Sequence, residues 1–336
     1  MEEILHKEKT HSEHVLGVSA LTLIFFAGVF FSWSFFSDVS KPVDVADALG
    51  PADGAQSAEA ATALASLQWG YATSTTADAF ASLSIFAKSA IVIDLTERTI
   101  LYELNPDTQL PLASLTKVPL VLVVAQNLSP GEILTMPEGI PQFSAGTQWK
   151  LSDIIDYTLA ISSNQGADVL AAAANAEIRS HYPEAPEHEA ALWRMNQLAR
   201  ELGLSHTYFL NNNGLDESPT QAGAYGTARD MAILFAEAAS TSSETFAATK
   251  RQTFSIESLE GARATAINTD TALPSIPGLI MGKTGYTTLA GGNLAVVYES
   301  GGHRIVSVVL GSTQAGRFDD MKALIDRTSQ AMNTER

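Results

Sequence analysis

The chain has 336 residues, 46% of them hydrophobic, enough for a sizeable core in one large domain or two small ones. A net charge of −17, from 37 acids and 20 bases, excludes the basic footprint that nucleic-acid binding needs. Cysteine is absent, which excludes disulfides and thiolate metal sites and fits an exported protein.

The first predicted element is an uncharged apolar run, Val15–Phe36. A helix of about 22 residues at ~1.5 Å per residue spans a hydrocarbon core of about 30 Å. The aromatic end, Phe30-Phe31-Ser32-Trp33-Ser34-Phe35-Phe36, suits a membrane interface. The run therefore reads as an uncleaved single-pass anchor, with a cleaved signal peptide as the alternative. Lys7 and Lys9 before it and Asp38 after it favour a cytoplasmic segment 1–14 and an extracytoplasmic remainder. Residues 37–85, rich in Ala, Ser, Thr, Asp and Gly, read as a flexible acidic linker, with a short helix at Ala55–Leu67 as an option.

The globular part is expected over 86–336. Ala90–Asp94 predicts a buried strand, Leu95–Arg98 a turn, and Thr99–Glu103 a returning strand. A helical region opens after Pro111. Leu151, Ile154, Ile155, Thr158 and Leu159 have helical spacing, as do Leu192, Met195, Ala199 and Leu202 ahead of Gly203. Thr227 is positioned to cap a helix carrying Met231, Leu234, Phe235 and Ala238. Strands are expected at Leu279–Gly285, Asn293–Glu299 and Arg304–Leu310, the last two joined through Ser300-Gly301-Gly302, and a closing helix over Arg317–Met332. The predicted class is α+β: one antiparallel sheet drawn from both ends of the globular part, flanked by helices, with an all-helical part inserted.

Three short motifs carry the chemistry: Ser114-Leu115-Thr116-Lys117, Ser162-Ser163-Asn164 and Lys283-Thr284-Gly285. If a helix starts near Ala113, Ser114 and Lys117 share a face. Lysine serves as base to the serine when burial and a nearby cation, here Lys283, lower its pKa. Pro119 is a discord, because it removes an amide donor and is expected to bend the helix after the lysine. Ser162 offers a hydroxyl for proton relay and Asn164 an amide for a substrate carbonyl. The strand ending in Lys283-Thr284-Gly285 offers an edge for β-augmentation, with Gly285 allowing close approach and Lys283 and Thr284 suited to a carboxylate. The amides of Ser114 and Tyr286 are candidate oxyanion donors. Each motif alone reads better as ordinary structure: a surface helix pair, a polar helix end, a strand ending in a turn.

Together and in order, the motifs resemble those of the serine-type D-alanyl-D-alanine carboxypeptidases, the low-molecular-mass penicillin-binding proteins of peptidase family S11. The resemblance extends over Pro111–Lys117, Asn213–Asp216, Thr227–Ala232, Gly282–Thr287 with Ala290-Gly291, and Arg304–Gly311. It implies a catalytic domain over 86–336 in which Ser114 attacks the D-Ala-D-Ala peptide carbonyl and Lys117 is the general base. Ser162 would take part in proton relay, and Asn164, Lys283, Thr284, Gly285 and Tyr286 would bind substrate. Arg229 and Arg304 match arginines that lie near the substrate carboxylate in relatives; for Arg229, pairing with a neighbouring acid is equally open. The implied partners are peptidoglycan stem peptides, with β-lactams as covalent inhibitors, and the implied location is the cell membrane. No cofactor is expected, and the seven histidines show no metal spacing, so no metal is expected either.

The sequence departs from the resemblance at Ser163, where Gly is frequent, at Gln165, where Asp is common, and at Asn268-Thr269-Asp270, where Asn-x-Asn is usual. The β-rich C-terminal domain and C-terminal amphipathic anchor of many relatives are not expected here. The competing readings are a D,D-endopeptidase with the same catalytic residues, a class A type β-lactamase, which lacks support because no Glu-x-x-Leu-Asn segment is present, and a non-catalytic peptidoglycan-binding scaffold.

Overall fold

A computed structural model describes residues 70–71 and 79–334. The span expected at Val15–Phe36, the option of a helix at Ala55–Leu67 and most of the linker lie outside these residues. Among the described residues no helix is long and apolar enough to cross a membrane.

The central sheet is built from β1 (Gly70–Tyr71), β2 (Ser89–Asp94), β3 (Thr99–Leu104), β11 (Leu279–Thr287), β12 (Gly291–Ser300) and β13 (His303–Ser312), in the order β1-β3-β2-β13-β12-β11. All neighbours are antiparallel except β1, which adds a parallel edge to β3. The linker expected over 37–85 thus gives up two residues to the sheet. It also gives up Phe80, which is buried and stacks on Tyr102 at 5.4 Å. The turn between β2 and β3 is held by Asp94, whose Oδ1 accepts from the amides of Thr96 and Glu97 at 2.8 and 3.1 Å. Gly301 and Gly302, with φ of 63° and 92°, close the two-residue hairpin between β12 and β13, where φ must be positive at both positions.

Side chains alternate across a strand, so a strand covered on both faces reads as a continuous apolar run. In β2, Ile91 and Ile93 enter one core while Ala90 and Val92 enter the other. β12 and β13 divide in the same way: Val297, Val306 and Val308 on one side, Val296, Tyr298 and Ile305 on the other. The second core is closed by the C-terminal helix through Met321, Leu324 and Ile325.

The first core is closed by the inserted part. Its helices are α1 (Lys117–Asn127), α2 (Leu151–Ile161), α3 (Asn164–His181), α4 (Ala190–Glu201) and α5 (Ala228–Thr241), and the C-terminal helix is α6 (Gly316–Thr334). α1 is buried all round, Val118 and Leu120–Val124 included. Pro119 does not end it. The proline falls in the first turn, where its missing N–H had no helical partner, and the helix runs on to Asn127. α3 buries Ala167, Leu170, Ala171, Ala174 and Ile178 at helical spacing, but alanines do much of this packing and give the stripe little apolar bulk; the helix begins at Ser163, whose Oγ accepts from the Gly166 amide at 3.0 Å.

The inserted part is not all-helical. It carries a hairpin of β5 (Ile133–Thr135) and β6 (Gln148–Lys150), and a second of β9 (Thr253–Glu257) and β10 (Arg263–Ile267). A small sheet joins β4 (Leu110–Pro111), β8 (Ala224–Gly226) and β7 (Tyr208–Phe209). Most of these strands have two or three residues, too few for an alternating pattern to register.

Because β13 is buried on both faces, truncations on opposite faces should cost alike. Ile305→Ala and Val306→Ala are each expected to lower stability by about 2–4 kcal/mol in urea unfolding. A near-neutral result at either position would show that its face is not packed.

Candidate active site

β4 delivers the chain to a tight turn. Ala113 takes φ +49°, a conformation that L-residues rarely adopt, and a 3-10 turn Ala113–Thr116 runs into α1. Thr116 Oγ1 donates to the Ala113 carbonyl at 2.7 Å. Gly214, at φ +81°, packs against that carbonyl so closely that a Cβ there would overlap it. In a 3-10 turn residues i and i+3 eclipse, which brings Ser114 over Lys117. Lys117 Nζ lies 2.9 Å from Ser114 Oγ, 2.8 Å from Asn164 Oδ1 and 2.6 Å from the Asn213 carbonyl.

Lys117 is fully buried and no carboxylate touches it. Burial lowers its pKa to about 7, partly offset by the charge of Asp168. Of the two expected causes, burial and the neighbouring cation Lys283, burial is the one that lowers it.

Ser162 ends α2 in the left-handed conformation, φ +62°. The next residue, Ser163, caps α3, and Asn164 is the first residue of that helix. The middle motif is thus a sharp junction between two helices. It sends Asn164 towards Lys117 and Ser162 towards Lys283, whose Nζ donates to Ser162 Oγ at 2.8 Å and to the Thr284 carbonyl at 2.8 Å. Burial, then repulsion from Lys117 and Arg317, hold Lys283 well below the usual lysine range, with Asp270 opposing.

β11 ends the sheet order and pairs only with β12, so its outer edge lies beside the Ser114 turn. Gly285 is required for that approach: a Cβ there would come 2.9 Å from the Leu112 carbonyl and 3.2 Å from the Ser114 amide. The glycine's first duty is therefore to the protein's own backbone. It leaves the Ser114 amide next to the strand segment that continues to Tyr286, whose side chain is exposed. Thr284 Oγ1 shares a 2.6 Å hydrogen bond with Thr269 Oγ1.

Two sequence candidates are not brought to this cluster. Arg229 pairs with Asp107, Nε to Oδ1 at 2.6 Å, and with Glu103 on β3 at 3.4 Å. β3 stands four strand positions from β11, about 19 Å at ~4.8 Å per strand. Arg304 sits opposite Glu299 near the β12–β13 hairpin, four residues along β13 from Val308, which aligns through Ala295 with Lys283. That is about 13 Å along the strand and two strands across.

The arginine that reaches the cluster is Arg317, in the first turn of α6. It is 7% exposed, its Nε and Nη1 have no partner among the described residues, and its side chain lies against Gly292 on the strand beside β11. Its charge bears on Lys283 and on Asp270, whose Oδ2 is likewise buried and unpartnered. A signal for it was present in the sequence: a cation at a helix N-terminus opposes the helix dipole and asks for another reason to be there.

If Ser162 is held in strain by its neighbours, Ser162→Gly should be more stable than Ser162→Ala by about 1 kcal/mol, since both lose the hydroxyl and only glycine adopts positive φ freely. Equal unfolding midpoints for the two variants would remove the argument for strain.

Residues 73–314 match the S11 peptidase family, described as D-alanyl-D-alanine carboxypeptidase. The chain is 29% identical over 258 residues to D-alanyl-D-alanine carboxypeptidase DacA of Haemophilus influenzae, and 30% identical over 252 residues to DacF of Bacillus subtilis. The matches cover 72% and 71% of this chain and 61% of each relative, so the chain spans under two thirds of their length. Penicillin-binding protein D2 of Listeria monocytogenes, solved in its ampicillin-bound form, superposes with a TM-score of 0.62 at 28% identity, covering 74% of this chain and 98% of that one. The Streptomyces K15 DD-transpeptidase shares the fold, with a TM-score of 0.64 at 21% identity over 73% of this chain and 98% of that one. With the family match extending through all three motifs and most of the sheet, the chain belongs to the S11 peptidase family.

Proposed function

We propose that the protein is a serine D-alanyl-D-alanine carboxypeptidase that removes the terminal D-alanine from peptidoglycan stem peptides. The carrying observation is the 2.9 Å contact between Ser114 Oγ and a buried Lys117 whose pKa is brought to about 7 without a carboxylate partner. A lysine so placed is neutral for a substantial fraction of the time near neutral pH and takes the serine proton.

In this reading a peptide lies along the free edge of β11. Ser114 Oγ attacks the carbonyl carbon of the D-Ala-D-Ala bond as its proton passes to Lys117. The oxyanion is received by the amides of Ser114 and Tyr286. The proton held on Lys117 returns to the departing D-alanine nitrogen with Ser162 as relay, its hydroxyl oriented by Lys283. Asn164 accepts one Lys117 hydrogen through Oδ1, which turns its amide donor to the acyl carbonyl. The terminal carboxylate is met by Lys283, Thr284 and the unpartnered donors of Arg317. Water then hydrolyses the ester, with Lys117 again as base. A β-lactam acylates Ser114 by the same first step. The uncharged run Val15–Phe36 supports a single-pass anchor that keeps this chemistry outside the cytoplasm.

Intact-mass spectrometry after incubation with benzylpenicillin should give an adduct on the wild type and none on Ser114→Ala. No adduct, with penicillin left intact, sinks the enzymatic reading. The acylation rate should rise with pH along a limb of apparent pKa about 7. Lys117→Arg, which cannot deprotonate in this range, should lower the rate by about 10²–10⁴-fold. Stability follows the same group. The folded-state pKa lies below the unfolded value, so the unfolded chain binds more protons between about 7 and 10.5 and stability rises with pH across that window. Lys117→Met should flatten that rise in urea titrations.

Arg317→Ala should raise KM for a D-Ala-D-Ala peptide by about 10–100-fold with a smaller change in kcat, as expected for a lost charged hydrogen bond. An unchanged KM would remove Arg317 from the carboxylate subsite.

A further inference from the structure

In the carboxypeptidase reading the oxyanion is received by two amides from different elements. Ser114 belongs to the nucleophile turn and Tyr286 to β11, so their spacing is fixed by whatever joins the two. The sheet does not fix it, because β12 holds only one edge of β11 and the other edge faces the cleft. On the N-terminal side of Tyr286, Thr284 is tied to Thr269 and Gly285 packs on the Ser114 turn. On the C-terminal side the tether is Asp216.

Asp216 lies outside the three motifs, in the loop Asn211–Glu217. Its Oδ1 accepts from Thr287 Oγ1 at 2.8 Å and its Oδ2 from the Leu289 amide at 3.3 Å. Thr287 is the last residue of β11, next to Tyr286, and its Oγ1 also accepts from the Ala290 amide at 3.1 Å. Both carboxylate oxygens thus hold the turn that ends β11. The loop itself is fastened to the nucleophile side. Two residues before Asp216, Gly214 packs on the Ala113 carbonyl, and one residue earlier the Asn213 carbonyl accepts from Lys117. Side chains within the loop fix its shape. Asn211 Oδ1 accepts from the Gly214 amide at 2.7 Å, Asn211 Nδ2 donates to the Leu215 carbonyl at 2.9 Å, and Asn213 Oδ1 accepts from the Leu215 amide at 2.9 Å. A closed path therefore runs from the Ser114 turn through Gly214, Asp216 and Thr287 to Tyr286, and returns through Gly285.

We infer that Asp216 is a positioning residue for the oxyanion hole: by holding Thr287 to the loop that carries Gly214, it sets the spacing of the Tyr286 and Ser114 amides. The inference rests on the carboxypeptidase reading. Donors aimed at a developing oxyanion act in the transition state more than in the ground state. A hydrogen bond weakens steeply as its donor is misaligned. Loss of Asp216 therefore costs turnover and spares substrate binding.

The test uses the full-length protein in detergent, with Nα,Nε-diacetyl-Lys-D-Ala-D-Ala and benzylpenicillin. Asp216→Ala should lower kcat about 10–50-fold with KM changed less than about twofold, and the penicillin acylation rate should fall in step. Outright removal of an oxyanion donor costs about 10²–10³-fold; here the amide is displaced and still present. Thr287→Val, which keeps the side-chain shape and removes the hydroxyl, should lower kcat about 5–10-fold and guards against a misfolded Asp216→Ala. In the double variant the losses should not multiply, since both substitutions break the same bond. The pH limb of acylation should stay at about 7 in every variant, because Lys117 keeps its surroundings. Unchanged kcat in either single variant, losses that multiply, a rise in KM at constant kcat, or a limb that moves overturns the positioning role and leaves the carboxypeptidase reading standing. Neither hydrolysis nor a penicillin adduct in the wild type overturns both.

Discussion

Taking the Lys117 ammonium out of water is the constraint on which the rest of the site depends. A lysine amine held in solvent stays charged far above neutral pH and is no base. Here it is fully buried and meets only neutral acceptors, Ser114 Oγ, Asn164 Oδ1 and the Asn213 carbonyl. A carboxylate in direct contact would restore its charge; Asp168 acts on it only from the far side of Asn213. The surrounding helices, the helix junction and the Asn213 loop can each be understood as ways of excluding water and anions from this one nitrogen.

That enclosure costs backbone strain, concentrated where the motifs begin. Ala113 and Ser162 both adopt positive φ, at an expense of order 1–3 kcal/mol each. Both positions are over-determined by neighbours. The Ala113 carbonyl is pinned by Thr116 Oγ1 and backed by Gly214, and Ser162 is wedged between the end of α2 and the cap of α3. Gly285 belongs to the same set, since any larger residue would push β11 from the Ser114 turn. The nucleophile turn and the edge strand are fitted to each other before any substrate arrives.

Charge in the site is graded from one end to the other. Lys283 and Arg317 are buried cations at one end, each costly unless something negative is present. Asp270 supplies part of that balance, with one oxygen left without a hydrogen-bond partner among the described residues. At the other end Asp168 and Glu138 face an apolar groove. A chain of net charge −17 thus keeps a local cationic pocket, because the field within a cleft is set by the groups that line it.

The sequence by itself determined the three motifs, the order of the major strands, the β2–β3 and β12–β13 hairpins, and the helices with strong apolar periodicity. These signals are local: the continuous apolar run in Ala90–Ile93, helical spacing from Leu151, paired glycines at Gly301-Gly302. It also determined that Ser114 and Lys117 share a face, since i and i+3 meet in any helical turn. Only the tertiary structure decided which distant residues join them. Asn213 reaches Lys117 through its carbonyl, a group every residue possesses, so no residue type could announce it. Arg304 matched a pattern along the chain, yet strand register carries it away from Lys283, while Arg317, read as the start of a closing helix, is folded back beside β11. α3 is faint in the sequence because its buried stripe, though helically spaced, is mostly alanine, which packs closely while adding little hydrophobicity. Burial itself, which turns a lysine into a base, is a property of all the surrounding elements at once, and no segment of sequence carries it alone.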